Sequence, residues 1–148
     1  MLSFLFRKSK KPGLEEYKEL FADAGIGGIG YLSPEHFYQI DEQISGVFPT
    51  LEREEEILDN KLELKDSKLL SALYYKLDDS HKCYVFSDEI QLYGMFTGNT
   101  RSVMNKVLGI AKTTDHDLCI VDVGMKFLFT VYHDSDRGRF EIGVKVVR

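Results

Sequence analysis

The sequence predicts an α+β domain in which a helical N-terminal half packs on a C-terminal, mainly antiparallel sheet of about four to five strands. Three observations predict it. Residues 118–123, 126–133 and 139–147 are apolar-rich runs of strand length, separated only by the turn-forming stretches 122–125 and 134–138. Connections that short make hairpins, so the three runs form a local antiparallel meander and not the crossover topology of a nucleotide-binding sheet. Before residue 78, apolar residues recur at helical spacing.

In chain order, Leu14, Tyr17, Leu20, Phe21 and Ala24 outline a first helix that Gly25 is placed to end. Ser33, Pro34 and Glu35 form a helix start, with an N-cap hydroxyl, proline at the first helical position and an acid in the first turn. Phe37, Ile40, Ile44 and Val47 then make one buried stripe, which stops near Gly46 or Pro49. Thr50 caps a third, acidic helix with Leu51, Ile57, Leu58 and Leu62 inward, and Asp66 or Ser67 caps a fourth with Leu69, Leu70, Leu73 and Leu77 inward. Residues 82–87 read as a strand through Cys83, Val85 and Phe86. Residues 89–96 are ambiguous and read as a second short strand or an irregular turn. Asn99 or Thr100 caps a final helix bearing Val103, Val107, Leu108 and Ala111, and the meander follows.

With 148 residues, 43% hydrophobic and 29% charged, the chain suits a single domain over residues 14–148, preceded by a flexible basic tail at 1–13. A chain of this size buries about 70% of the surface its unfolded form exposes, enough for a core without staples. Cys83 and Cys119 each sit in an apolar run and read as small buried hydrophobes, so neither a disulfide framework nor a cysteine zinc site is expected, and a reducing cytoplasm is the simplest location. The N-terminal apolar run spans only Leu2 to Phe6 and its basic residues follow it, the reverse of a secretory signal. A frayed tail is preferred to membrane-surface contact through Phe4, Phe6 and the lysines. Residues 35–66 carry ten acids against three bases, more negative than the net −5 of the whole chain. That balance argues against nucleic acid and for a basic protein surface as partner.

Each candidate for chemistry has a plainer explanation. The run Gly25, Ile26, Gly27, Gly28, Ile29, Gly30 matches G-x-G-x-x-G, but it follows a helix and not a strand. It reads as a helix–helix connection with Ile26 and Ile29 tucked down. His116 and His133 fall at the open end of one hairpin with Asp115, Asp117 and Asp134 close in sequence; a polar strand end, with a histidine bonded to a carboxylate, is preferred over a metal or general-base site. Cys119 and His133 make a poor nucleophile pair, because an apolar strand disfavours the thiolate. Glu52, Glu54, Glu55, Glu56 and Asp59 fan across the outer face of their expected helix, which suits a solvated or protein-binding surface. No catalytic residue, metal or cofactor is expected, and His116, His133 and Asp134 stand only as a residual polar site.

The segment Asp117-Leu-Cys-Ile-Val-Asp122, followed by Phe127-Leu-Phe-Thr-Val-Tyr-His133-Asp134 and then Gly138-Arg139-Phe140, resembles a pattern in small bacterial immunity-type proteins. There a D-x-Y-I-V-D strand precedes an aromatic-rich strand ending in His-Glu or His-Asp, and a G-x-F strand follows. The resemblance spans roughly residues 84–143, with Phe127 where those proteins often carry tryptophan. It implies a non-enzymatic inhibitor that neutralises a cognate toxin, such as one encoded beside polymorphic or contact-dependent systems. On that expectation the acidic helix (Glu52, Glu54, Glu55, Glu56, Asp59), together with Asp41 and Glu42, enters a basic cleft of a nuclease-type toxin, and Tyr38, Phe48 or Tyr93 supply aromatic anchors. The alternative is a cytoplasmic binding or regulatory module without a toxin, including a homodimer formed through a sheet edge. An enzyme using His133, Asp134 and His116 comes third.

Overall fold

The computed structural model describes residues 12–148. In chain order these form α1 (Leu14–Asp23), β1 (Gly30–Leu32), a 3-10 turn (Pro34–His36) leading into α2 (Phe37–Val47), and β2 (Glu54–Asp59). A second 3-10 turn (Leu64–Asp66), α3 (Ser71–Lys76), β3 (Lys82–Ser87), α4 (Ile90–Tyr93) and β4 (Met95–Asn99) follow. The chain closes with α5 (Thr100–Thr114), β5 (Leu118–Asp122), β6 (Phe127–Asp134) and β7 (Arg139–Val146). The strands form one sheet in the order β1-β4-β3-β5-β6-β7-β2, with every neighbouring pair antiparallel.

The meander forms as its turn residues dictate. Between β5 and β6 the Asp122 carboxylate accepts from the Lys126 amide at 3.1 Å, and Met125 takes a left-handed conformation. Between β6 and β7, Asp134 accepts from the Arg137 amide at 3.3 Å, and Gly138 supplies the positive φ that closes the loop. Asn99 caps α5 by accepting from the Ser102 amide at 3.0 Å, and Val103, Val107 and Ala111 are buried with Leu108 packed beside them.

The expected division into a helical N-terminal half and a sheet of four to five strands is wrong: the sheet has seven strands, and the helices are spread along the chain. Both additional strands lie at the edges. Gly30 opens β1, which pairs with β4, so the glycine run leads from a helix into a strand and not into another helix. The acidic segment expected as a third helix is β2, paired with β7 over its whole length. Glutamate favours helices intrinsically, but β7 offers an open row of backbone groups and the segment alternates correctly for it: Leu58 is 2% exposed and Ile57 58%. Counting Ile57 and Leu58 as one helical stripe merged residues that a strand sends to opposite faces.

Smaller departures have similar causes. Ser33 provides no side-chain cap, and the chain enters α2 through the 3-10 turn. The fourth expected helix is the six-residue α3, entered through a turn in which the Ser67 hydroxyl accepts from the Leu70 amide, although its leucines do pack on the core. Residues 89–96 contain α4 and the first residues of β4. The tail read over 1–13 lies outside the described residues as far as residue 11; Pro12 is anchored, its carbonyl accepting from the Tyr93 hydroxyl at 2.7 Å.

Strand register divides the sheet into two faces. The first carries Val85, Leu118, Ile120, Phe129, Val131, Phe140, Ile142 and Val144, and packs against α1, α3 and α5 as the main core. The second carries Tyr84, Phe86, Cys119, Val121, Leu128, Thr130, Tyr132, Glu141, Gly143 and Lys145. Helix α2 and the residue after it lie against part of this second face. Phe37 meets the Phe86 ring at 5.0 Å and the Lys145 ammonium donates to the Phe48 carbonyl at 3.0 Å. Ile40, Phe48, Met95 and Val121 are buried there, apart from the main core.

Candidate functional site

The part of the second face that α2 leaves open is where the exposed chemistry collects. Tyr132 pairs with Glu141, and Glu141 with Ile57. Extending the β5–β6 and β3–β5 registers by one residue sets Asp117 beside Tyr132 and Asp88 beside Asp117. Tyr132, Glu141 and Ile57 thus form one row across three strands, and Asp117 and Asp88, just beyond the ends of β5 and β3, continue its line. Tyr132 is 43% exposed, and a groove of about 480 Å3 runs along the row, floored by Phe86, Leu118, Cys119 and Thr130.

Beside this row, Arg53 lies flat on the sheet. Its guanidinium donates to Glu55 at 3.0 Å and to the Thr130 hydroxyl at 3.3 Å, passing over Gly143. A β-carbon at position 143 would occupy the place of the guanidinium, which is the physical reason for a glycine in mid-strand. The groove thus has one cation, already engaged, and three carboxylates. Burial raises the Asp117 carboxyl above its ordinary value and Asp88 raises it further, as to a lesser degree do Glu141 and Asp115, while His116 pulls it back by favouring the charged form. Glu141 pairs with Arg139 at 3.9 Å. Cys119, on the floor, has its thiol pushed up by burial to about 12 even with Arg53 nearby, which disfavours the reactive thiolate.

The expected partner-binding residues separate into two groups. Glu52, Glu54, Glu55 and Asp59 are exposed along or beside β2, and Tyr38, Asp41 and Glu42 are exposed on α2, with Tyr38 at 73%. Glu56 turns inward instead: its carboxylate accepts from the Ser67 hydroxyl at 2.8 Å and from the Leu69 and Lys68 amides at 3.0 and 3.1 Å. Partial burial works against its charge, but those bonds hold its carboxyl below the usual range. Phe48 is 2% exposed under α2, and Tyr93 is fully buried, stacked on Tyr17 at 4.1 Å. These last two are core residues and not anchors, because a large ring in an apolar run is buried more readily than displayed.

The residual polar site is not assembled as one unit. His116 is buried among the rings of Tyr17 and Tyr93, at 6.0 and 5.3 Å. His133 is buried against Phe140 at 4.9 Å, and its ring nitrogens have no hydrogen-bond partner among the described residues. Asp134 turns away to Arg137 and Arg139, at 3.1 and 3.7 Å. Burial opposes its charge, but these arginines hold its carboxyl below the ordinary range. Among the described residues no group of three or more His, Cys, Asp or Glu side chains is placed to hold a metal ion. No described helix is long and apolar enough to cross a membrane.

A wider cleft of about 610 Å3 lies on the other side of the sheet, between α5 and residues 60–65. Lys65, Lys106 and Lys112 line it, but Lys65 is already paired with Glu63 at 3.0 Å. The Tyr74 hydroxyl is likewise engaged by Asn105. The sheet-face groove is the stronger candidate because three carboxylates and the exposed ring of Tyr132 line it together.

Sequence reasoning missed Asp88, Tyr132, Glu141, Arg53 and Gly143. The alternation of β6 and β7 sends Tyr132 and Glu141 outward, and the lone Gly143 in a β run signals a close approach, so part of the groove had a visible signal. No family model, no curated protein and no solved structure matches the chain.

Proposed function

We propose that this chain is a non-enzymatic, immunity-type inhibitor that binds and neutralises a basic toxin domain. The observation that carries the reading is the open, acidic part of the second sheet face, which runs through Glu141 and Ile57 directly into the acidic edge strand β2. The resemblance of residues 84–143 to immunity-type proteins supports the same class of partner. The contact is a strand edge and a sheet face, not an acidic helix. Edge strand β2 offers unpaired backbone groups flanked by Glu54 and Glu55, with Glu52 just before it and Asp59 at its end. Self-pairing there would bring glutamates close to their copies across the new ladder, and opposed like charges destabilise strand pairs. That disfavours a homodimer through this edge and favours a partner of opposite charge.

The test is binding to a toxin domain encoded beside the gene, measured by calorimetry at two salt concentrations. Reversing Glu52, Glu54, Glu55 and Asp59 to lysine is expected to weaken binding about a hundredfold and to flatten its salt dependence. Unchanged affinity with unchanged salt dependence would sink the proposal.

A further inference from the structure

The acids of the open face do not all serve alike. Glu54 and Glu55 already face Arg148 and Arg53, at 3.3 and 3.0 Å, and Asp59 accepts from the Lys61 amide. The Asp88, Asp117, Tyr132, Glu141 row is different. Its three carboxylates flank an exposed aromatic ring along a groove; Glu141 faces Arg139 at 3.9 Å, and Arg53 is held on the neighbouring row by Glu55 and Thr130. Side chains on adjacent strands of one row have β-carbons about 4.5–5.5 Å apart. Asp117 and Glu141 therefore stand on either side of Tyr132, about 10 Å from each other across two strand spacings.

That spacing selects a ligand. It is too wide for a bare metal ion, and no metal-holding group of side chains occurs among the described residues. A flat organic cation fits: it can lie on the ring of Tyr132 and donate hydrogen bonds sideways to the carboxylates. Guanidinium has the planar shape, the weak hydration and the several in-plane N–H donors for this, whereas an ammonium is a strongly hydrated point charge. We propose that the groove over Tyr132 is a receptor for an arginine side chain of the protein partner, clasped by Asp117 and Asp88 on one side and Glu141 on the other. This rests on the inhibitor reading for the identity of the partner, but the site itself does not depend on it.

The site is tested without a toxin, by titrating N-acetyl-arginine methylamide into the isotope-labelled full chain and following backbone amide signals. Expected are saturable shifts confined to residues around Asp88, Asp117, Tyr132 and Glu141, weaker shifts with the lysine analogue, and none with the citrulline analogue, which keeps the shape without the charge. Asp117→Asn and Asp88→Asn together should weaken the arginine probe about tenfold, and Tyr132→Ala should do so while leaving the remaining spectrum in place. Shifts spread over all acidic residues, equal binding of arginine and lysine analogues, tighter binding of calcium than of arginine, or indifference to the two asparagine substitutions would each overturn the proposal. A chain that takes the arginine probe here but binds no neighbouring toxin refutes the inhibitor reading and leaves the receptor standing.

Discussion

The two faces of one sheet are built from the same strands and have opposite fates. On the first face Val85, Ile120, Phe129 and Val144 stand side by side across four strands and are covered by helices, so each contributes by burial and close packing. On the second face α2 reaches only part of the way. Past its edge the same strands display Tyr132, Glu141 and Ile57, with Asp117 beside them. Burial stabilises the first face, whereas the second leaves Asp88, Asp117 and Glu141 along one open groove.

This contrast gives a graded set of expectations. Phe129→Ala, at the centre of the covered face, should cost about 3–5 kcal/mol in denaturant unfolding, whereas Tyr132→Ala, three residues along the same strand, should stay within about 0.5 kcal/mol. Equal costs would break the distinction between the faces. Glu56→Ala should cost about 1–2 kcal/mol, because it leaves the Ser67, Lys68 and Leu69 donors without their acceptor while the carboxylate itself is only partly shielded from water. The folded-state pKa of Glu56 is lowered, so its stabilisation is fully present above the ordinary carboxylate range and is lost as pH falls through the folded value.

Gly143→Ala should cost about 1 kcal/mol and displace Arg53 from Thr130, visible as altered amide signals at both residues. Asp117→Asn has the opposite sign from Glu56→Ala. The folded-state pKa of Asp117 is raised, so its charge lowers stability at neutral pH, and the penalty disappears as pH falls through that folded value toward the ordinary one. The variant should therefore be more stable than the parent by a few tenths of a kcal/mol at pH 7, with the advantage gone in acid. A loss of stability at neutral pH would mean that Asp117 is structurally engaged and the face is not poised for a partner.

The covered face was largely legible in the sequence. The meander, β3, α1 and α5 follow from turn residues, period-two alternation and an asparagine cap, signals that are local and that tertiary packing did not override. The edges were not legible. β2 is a run of strong helix formers turned into a strand by the open side of β7, and β1 is three residues long, so neither carries enough local signal. The open face was half visible. Its acids at 52–59 stood out by composition, but Asp88, Asp117, Tyr132 and Glu141 become one row only through the pairing of β3, β5, β6 and β7, which no single stretch of sequence specifies. Tyr93 and Phe48 were misplaced because exposure was inferred from residue type, where the packing of α4 and α2 decides it.

On the inhibitor reading, the open face and its acidic edge are the working surface. The measurement that meets it most directly is the affinity of a neighbouring toxin domain for two variants compared side by side. One carries Glu54→Lys and Asp117→Asn on the open face, and the other carries Lys106→Glu and Lys112→Glu in the cleft beyond the sheet. A large loss of affinity is expected for the first and none for the second; loss in the cleft variant with the open-face variant unaffected would contradict the open-face reading.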